Sequence, residues 1–368
     1  MIPLSDLYLQ YKSIKKEIDT AIQSVIADSA FIGGKNNPYT KTFETAFSEY
    51  LGVKHAIGVG NGTDAIEIAL LALGIGRGHE VIVPAISWIA TSEAVSNVGA
   101  KPVFADVLQN YRTIDPKEIE KKITKKTRAI IPVHLYGLSC EMDEILKIAK
   151  KHNLFVIEDC AQAHGAKYKG KTVGTLGDAG TFSFFPGKNL GAYGDAGAIV
   201  TNTSEIAEKC RLIANHGQEK KNVHVQEGRN SRLDGIQSAI LSVKLPHLPQ
   251  WLARRKEIAE KYTKELSKIT ELTVPTFPEY SEHTFHLFTV QVKNREILKK
   301  KLHEAGIETG VHYPTSLPFL PPYEKRHKKT EFPIAQKVTF ETLSIPLYPE
   351  MTEKQISFIS KKIVELLS

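Results

Sequence analysis

Apolar strand-like runs alternate with helix-like segments between residues 55 and 159, and this alternation constrains the fold more than any other feature. Runs such as 81–83 and 155–157 are wholly apolar, as is typical of parallel strands that are covered on both faces. The segments 64–73 and 141–152 instead repeat apolar residues at helical spacing. This strand–helix–strand order predicts a doubly wound α/β domain.

The same periodicity predicts the individual elements. The predicted strands are 55–60, 80–85, 101–107, 128–136, 154–159, 180–185, 197–201 and 285–292. The predicted helices are 64–73, 89–98, 141–152, 233–245, 252–266, 295–305 and 353–367. The regular alternation weakens after residue 159, so a different architecture is expected in the later part of the chain.

The length of 368 residues predicts a large domain joined to a smaller one. Two prolines in the segment 246–251 are expected to break the chain before the long charged helix 252–266. We therefore predict a large α/β/α domain over residues 1–250 and a smaller α+β domain over residues 251–368. The N-terminal part of the large domain is expected to be a helix and an arm that pack elsewhere.

Charge and composition argue against several classes of protein. The 48 basic and 41 acidic residues give a formal net charge of +7, but the lysine pairs lie beside acids on helix-like stretches. We interpret them as solvated helix faces, which are compatible with an anionic small substrate and do not indicate nucleic acid. No apolar run reaches the roughly 18 residues of a membrane span, and the N-terminus is too polar for a secretory signal. Three scattered cysteines favour a cytoplasmic location and show no metal-ligand spacing.

The segment 58–64 lies where a predicted strand ends and a predicted helix begins. Free backbone N–H groups and the positive end of the helix dipole make such a junction an anion site. Gly62 lets backbone approach an anion closely, Thr63 can add a hydroxyl, and Thr63 or Asp64 can cap the helix. Two alternatives stay open. One is a glycine turn with a helix cap, and the other is a dinucleotide fingerprint, although Thr63 occupies the place of its third glycine.

Asp159 stands at the carboxyl end of the predicted strand 154–159, where open α/β sheets bind their ligands. An ionised carboxylate beside a buried strand needs a partner. A protonated pyridine nitrogen is such a partner, because the carboxylate keeps the nitrogen charged and the ring electron-withdrawing. The alternatives are a helix cap and a metal ligand, but no cluster with metal-ligand spacing lies near Asp159 in the sequence.

Lys188 lies in a tight Pro-Gly turn that follows the aromatic strand 180–185, with Ser183 before it and several glycines after it. Most lysines in loops are simply solvated. A desolvated lysine, however, has a lowered pKa and can form a Schiff base with an aldehyde cofactor. The same amine can afterwards move a proton at the substrate carbon.

With these residues placed, the chain resembles the DegT/DnrJ/EryC1/StrS family of sugar aminotransferases over nearly its whole length. The resemblance rests on five motifs that occur in order at matching separations, at residues 60–65, 158–165, 183–191, 228–234 and 311–314. It implies the α/β fold-type I architecture of enzymes that depend on pyridoxal 5′-phosphate (PLP). It also implies an aminotransferase activity.

The resemblance implies roles for the residues around the cofactor ring. Lys188 would bond to the cofactor aldehyde, and Asp159 would pair with the pyridine nitrogen. Gln162 would approach the phenolic oxygen, and Trp88 would stack on the ring face. A lysine at position 188 also separates this chain from a sugar-dehydratase branch of the family, which has histidine there.

The resemblance assigns the phosphate to the backbone at Gly62 and to Thr63, Asp64 and Ser183. Asn230 would reach the phosphate of the neighbouring subunit's cofactor. A homodimer with shared active sites is therefore implied.

The implied reaction is a ping-pong transamination, in which L-glutamate donates an amino group that a keto sugar on a nucleotide then receives. The stretch His312–Tyr313–Pro314 resembles the branch of the family that acts at C-3 of sugars linked to UDP or dTDP. Arg232, His312 and Tyr313 would contact the sugar nucleotide. Residues 317–319 depart from that branch, which often has a histidine there, so the sugar itself stays open.

Three alternatives differ in class. The first is a PLP enzyme that acts at C-4 of a sugar or on a cyclitol ketone. The second is an NAD-type oxidoreductase built on the segment 58–62, and the third is a regulator that keeps the fold without turnover. Because Lys188, Asp159 and the phosphate residues are all present, the sequence favours an active enzyme.

Overall fold

The computed structural model describes residues 1–34, 36–328 and 330–367. Its helices are α1 (Leu7–Ser13), α2 (Lys15–Ala27), α3 (Pro38–Leu51), α4 (Gly62–Ala72), α5 (Ala90–Asn97), α6 (Pro116–Lys122), α7 (Met142–His152), α8 (Ser204–Ala214), α9 (Gly235–Lys244), α10 (Leu248–Leu266), α11 (Arg295–Glu304), α12 (Pro333–Glu341) and α13 (Glu353–Leu367). Its strands are β1 (His55–Val59), β2 (Glu80–Pro84), β3 (Lys101–Ala105), β4 (Thr127–Ile130), β5 (Phe155–Asp159), β6 (Lys167–Tyr168), β7 (Lys171–Thr172), β8 (Ala179–Ser183), β9 (Gly197–Thr201), β10 (Gln218–Lys220), β11 (Val223–His224), β12 (Leu272–Thr273), β13 (Ser281–Glu282), β14 (Phe288–Val292) and β15 (Thr342–Ile345).

A seven-stranded sheet in the order β1-β9-β8-β5-β4-β2-β3 forms the centre of the fold. The strands β3, β2, β4, β5 and β8 pair in parallel, whereas β9 runs antiparallel between β8 and β1. The predicted α/β class is confirmed. The carboxyl ends of β1, β5 and β8 consequently meet at one edge of the sheet, which is where ligands bind in open α/β folds.

Two hydrophobic clusters pack on the central sheet. Successive side chains of a strand point to opposite faces, and in β2 Val81 and Val83 belong to one cluster whereas Ile82 belongs to the other. Burial on both faces explains why the parallel strands read as continuous apolar runs. The antiparallel β9 reads in the same way, so its direction could not be inferred from its composition.

A third hydrophobic cluster joins the small sheet β12-β14-β15 to α10, α11 and α13. This core draws its buried residues from positions 258–363, in agreement with the predicted α+β character of the C-terminal region. Five buried residues within this range belong instead to a cluster of the central sheet: Leu317, Tyr323, Phe332, Ala335 and Val338. The boundary after residue 250 stays a prediction, and α10 runs continuously through it.

Several element boundaries differ from the predicted ones for local reasons. Pro249 lies in the first turn of α10, where its missing N–H would have no intrahelical partner, so the helix begins at Leu248. The predicted strand 128–136 ends at Ile130, and the chain then turns at Tyr136, which has a positive φ of 59°. The helices α3, α6, α8 and α12 were missed. No helix in the described residues has both the length and the apolar character needed to cross a membrane.

Candidate active site

A cavity of about 550 Å³ opens at the carboxyl edge of the central sheet. It brings together most of the residues singled out in the sequence, although they are far apart along the chain. These are Gly62, Thr63, Trp88, Asp159, Gln162, Ser183, Lys188, His312 and Tyr313. The cavity is therefore the candidate active site.

Lys188 is half-buried in the cavity wall, and its side chain has no hydrogen bond or ion pair among the described residues. Burial lowers the pKa of Lys188 to about 8, against the opposing charge of Asp159. The loop around it is held in place, because the Lys188 N–H donates to the carbonyl of Phe185 (2.8 Å) and Lys244 Nζ donates to that of Gly191 (2.7 Å). A cavity lysine with a lowered pKa has a larger neutral fraction near neutral pH than an ordinary lysine and can act as a nucleophile or base.

Asp159 lies at the end of β5 and is buried, with 4% of its surface exposed. Its Oδ2 accepts a hydrogen bond from Thr91 Oγ1 (2.8 Å), and its Oδ1 accepts one from the Ala161 N–H (3.1 Å). Desolvation raises the pKa of Asp159, while these two hydrogen bonds and Lys188 oppose the rise. Each carboxylate oxygen can accept another donor, so a cationic ring N–H would fit here and would offset the cost of burial.

The first turn of α4 borders the same cavity. The Asn61 side chain caps the helix by accepting the Asp64 N–H (2.8 Å), so neither Thr63 nor Asp64 is the cap that the sequence suggested. The N–H groups of Gly62 and Thr63 have no backbone acceptor within the described ranges. Two free N–H groups at the positive end of an 11-residue helix fit a phosphate group.

A close approach between α4 and β8 shapes this anion site. A Cβ atom added at Gly62 would lie 2.6 Å from the Cβ of Ser183, which no side chain can accommodate. The absence of a side chain at Gly62 thus lets the Ser183 hydroxyl and the helix N-terminus face one small volume. The Asp64 carboxylate is bound by Arg229 (3.0 Å).

Gln162 links two other elements of the cavity wall. Its Oε1 accepts the Tyr136 N–H (2.7 Å), and its Nε2 donates to the Tyr313 hydroxyl (2.8 Å). Trp88 is 59% exposed at the cavity edge, and its ring centroid lies 5.8 Å from that of Tyr313. His312 is oriented by a 2.8 Å hydrogen bond between its Nδ1 and Ser344 Oγ.

Asn230 and Arg232 do not line the cavity of their own chain. Asn230 is exposed, and Arg232 Nη1 contacts Asn215 Oδ1 at 3.4 Å. Among the described residues Arg232 forms no ion pair, either with the neighbouring Asp234 or with another acid. The proposed roles of both residues therefore require a second subunit.

Several residues that support the site were missed in the sequence. Thr91 holds Asp159 and is itself bonded to Ser87 Oγ (2.7 Å). The buried Glu158 accepts hydrogen bonds from His134 and from three backbone N–H groups, at positions 174, 176 and 177. Because these donors occupy its carboxylate, we interpret the buried group of His134, Glu158 and Cys160 as structural rather than metal-binding.

Comparison with known proteins agrees with this geometry. The model of the DegT/DnrJ/EryC1/StrS aminotransferase family matches residues 12–364. A dTDP-3-amino-3,6-dideoxy-alpha-D-galactopyranose transaminase of Aneurinibacillus thermoaerophilus is 44% identical, over 99% of this chain and 99% of its own. A protein of Geobacillus stearothermophilus named "pleiotropic regulatory protein" is 47% identical, over 99% of this chain and 98% of its own.

Among solved structures, S. venezuelae DesV in complex with a ketimine intermediate superposes with a TM-score of 0.97. It is 38% identical, and the match covers 100% of this chain and 98% of DesV. Sequence motifs, fold and cavity thus lead to the same assignment: this chain belongs to the DegT/DnrJ/EryC1/StrS aminotransferase family, whose cofactor is PLP.

Proposed function

We propose that this aminotransferase moves the amino group of L-glutamate to the 3-keto group of a hexose linked to UDP or dTDP. The product would be a precursor of a polysaccharide or another glycan. The observation that carries the proposal is one cavity that contains Lys188, Asp159 and the free N–H groups of Gly62 and Thr63. These groups match the aldehyde, the ring nitrogen and the phosphate of PLP.

When bound, PLP supplies an electron-withdrawing ring that stabilises negative charge at the substrate carbon. Lys188 Nζ would take the proton from that carbon and deliver it to the cofactor carbon that had carried the aldehyde. The Asp159 carboxylate would keep the ring nitrogen protonated, and Thr91 would hold the carboxylate in place. Gly62, Thr63 and Ser183 would fix the phosphate, whereas the N–H and the carboxylate of Asp64, which the sequence also assigned to the phosphate, already bind Asn61 and Arg229.

The other cavity residues are proposed to shape the cofactor and acceptor sites. Trp88 would cover the ring, and Gln162 would contact it near the phenolic oxygen. His312 and Tyr313 line the cavity and present groups that hydrogen-bond to sugar hydroxyls or phosphate oxygens. The C-3 position is supported by the name of the Aneurinibacillus relative, a transaminase of a dTDP-linked 3-amino sugar.

Two alternative functions within the family can be distinguished from the proposed one by experiment. One is an enzyme that acts at C-4 of the sugar or on a cyclitol ketone, and the other is a regulator without turnover, as the name of the Geobacillus relative suggests for that protein. Family membership rules out the NAD-type oxidoreductase. The intact set of Lys188, Asp159 and the anion site favours turnover.

The proposed function is tested in two half-reactions of the purified holoenzyme. L-Glutamate alone should discharge the cofactor's visible band in a single turnover and release one equivalent of 2-oxoglutarate per site. The aminated enzyme is then offered 3-keto and 4-keto sugars on UDP and dTDP. Preferential amination of a 3-keto sugar supports the proposal, whereas exclusive use of a 4-keto sugar, or no discharge by any amino acid, contradicts it.

The position of Asn230 supports the proposal of a homodimer with shared sites. This residue is exposed and lies outside its own cavity, while large apolar side chains are exposed nearby in sequence and at the cavity edge. They are Val223 and Val225, near Asn230 in sequence, and Trp88 and Phe185, at the cavity. Exposed apolar surface of this extent is typical of an interface, which we expect to bury more than roughly 2,000 Å² in total.

Mixing two inactive variants tests whether the sites are shared. Lys188→Ala removes the amine of one chain, and Asn230→Asp places a negative charge beside the phosphate proposed to lie in the partner's site. When equal amounts reassociate at random, half of the dimers contain one variant of each kind. One of the two sites in such a dimer has both native residues, so about a quarter of the wild-type activity should return. The measurement is the transamination rate after unfolding and refolding together. No recovery in a mixed dimer, or an active monomer in sedimentation, contradicts the prediction.

Arg232→Ala should raise KM for the sugar nucleotide more than KM for glutamate. Arg232 is predicted to bind the diphosphate or a sugar carboxylate through its planar fork of N–H groups. Loss of a charge-assisted hydrogen bond is expected to cost about 10- to 100-fold in KM for the acceptor. Steady-state kinetics with each substrate varied separately make the measurement, and Arg128→Ala, an exposed arginine on β4, is the control. Equal increases for both substrates would remove the support for this role.

Two further predictions remain proposals. The division into residues 1–250 and 251–368 is supported by the separate C-terminal hydrophobic core. A cytoplasmic location is supported by three buried cysteines that form no disulfide with one another.

A further inference from the structure

One wall of the active-site cavity contains a buried cation that the roles proposed above do not use. This wall consists of Arg255 from α10 together with His286, Leu287, Ile345 and Leu347. Arg255 is 7% exposed and lines the same cavity as Lys188. A buried arginine in a reactive cavity needs an anionic or polar partner.

Backbone carbonyl groups fix the orientation of Arg255. Its Nη1 donates to the carbonyl oxygens of Leu347 (3.0 Å), Phe285 (3.1 Å) and His286 (3.4 Å). These three acceptors lie on one side of the guanidinium group. The guanidinium group is therefore held in one orientation, and its Nε–Nη2 edge is left to donate hydrogen bonds to another acceptor.

No acceptor for Nε or Nη2 of Arg255 occurs in residues 1–34, 36–328 and 330–367. Both nitrogens retain solvent-accessible surface. Nε of Arg112, by contrast, is fully buried and has no hydrogen-bond partner among the described residues. The charge of Glu350 acts on Arg255 from a distance without forming an ion pair. Burial lowers the pKa of Arg255 only to about 10, so the guanidinium stays charged at neutral pH.

We propose that the Nε–Nη2 edge of Arg255 binds a carboxylate of the amino-acid donor. The two N–H groups of this edge are parallel and match the two oxygens of a carboxylate in a bidentate pair. The flanking Leu287, Ile345 and Leu347 would contact the methylene groups of a short dicarboxylic amino acid. This inference rests on the proposed function and specifies how that function selects its donor.

Glutarate, an unreactive dicarboxylate, is the probe for this site. Its binding to the holoenzyme, in which the cofactor fills the anion site at α4, is measured by titration calorimetry. Arg255→Met should weaken glutarate binding by about 10- to 100-fold, the scale for hydrogen bonds to a charged group. Arg255→Lys keeps the charge but loses the bidentate edge, so an intermediate affinity is expected.

Arg254→Met is the matched control on the same helix. Arg254 binds the Met351 carbonyl and pairs with Glu353 and Glu257 outside the cavity, so its loss should leave glutarate binding unchanged. Cofactor content and melting temperature are recorded for every variant, because a purely structural role of Arg255 would alter these first. If Arg255→Met does not fold, the glutarate affinity of Arg255→Lys alone decides whether Arg255 binds the carboxylate.

Binding of other carboxylates and phosphates shows whether Arg255 belongs to the donor site or to the acceptor site. UDP and UDP-glucuronate should bind the Arg255 variants as they bind the wild-type protein, and KM should rise for glutamate but not for the sugar nucleotide. Unchanged glutarate affinity, or an equal loss of UDP or UDP-glucuronate binding, overturns the inference. Failure of the wild-type half-reaction with every amino acid would instead overturn the proposed function, so the two failures are distinguishable.

Discussion

Replacement of Lys188 by alanine is expected to abolish multiple-turnover transamination while leaving the fold intact. The lysine is half-buried in the cavity and its side chain has no partner among the described residues, so its removal breaks no observed side-chain hydrogen bond. The variant lacks both the amine that bonds to the cofactor and the base that moves the substrate proton. Loss of the base alone is expected to reduce kcat by about 10²- to 10⁴-fold.

The measurement is the rate of 2-oxoglutarate formation over many turnovers, together with cofactor content after gel filtration. We expect the variant to bind PLP without a covalent bond, because the helix N-terminus of α4 and Asp159 remain. Sodium borohydride should therefore fix the cofactor to the wild-type chain and not to the variant. Lys300→Ala, which changes an exposed lysine of α11, is the control and should behave as the wild type. Full turnover by Lys188→Ala would show that another group does this chemistry.

The residues that could be predicted from the sequence are those that lie within short motifs at the ends of apolar strands. Asp159 is the last residue of β5, and Thr63 lies in the first turn of α4, the helix that follows β1. In each case the apolar run indicates the strand, and the end of a strand in an open α/β sheet indicates the ligand edge. Both residues line the cavity.

The supporting residues could not be predicted because their roles depend on contacts between distant segments. Thr91 is an ordinary threonine within α5, and only the fold brings its hydroxyl to Asp159, 68 residues away. Arg255 follows Arg254 in a charged helix, and the sequence does not show which of the two arginines is buried. The hydrophobic pattern of α10 predicts which face is buried, but not that this face carries a cation into the cavity.

The helix cap of α4 and the direction of strand β9 likewise could not be predicted from the sequence. Asn61, Thr63 and Asp64 are all good capping residues, and the local conformation of one peptide decides that Asn61 takes the role. β9 is buried throughout, so its apolar sequence is compatible with either strand direction. Local pattern therefore predicted the class of the fold and the edge of the sheet where the cavity lies, whereas tertiary contacts determined the exact partners.

Asp159→Asn is expected to slow the reaction strongly while preserving the shape of the site. Asparagine has nearly the same volume and can still accept the hydrogen bond from Thr91 Oγ1. It carries no negative charge, however, and it cannot keep a ring nitrogen protonated. A neutral ring withdraws electrons less well, so the proton on the substrate carbon becomes less acidic.

We expect kcat for the glutamate half-reaction of Asp159→Asn to fall by about 10²- to 10³-fold, the scale for loss of one preorganised charge-stabilising group. Stopped-flow absorbance of the half-reaction, with α-deuterated glutamate for comparison, makes the measurement. A larger isotope effect in the variant would place the loss in proton transfer, as the charge argument requires. Asp143→Asn, at an exposed carboxylate paired with Lys169, is the control for removing one acidic charge from the chain. An unaltered rate in Asp159→Asn, with cofactor fully bound, would show that the buried carboxylate only orders the end of β5 through its bonds to Thr91 and Ala161.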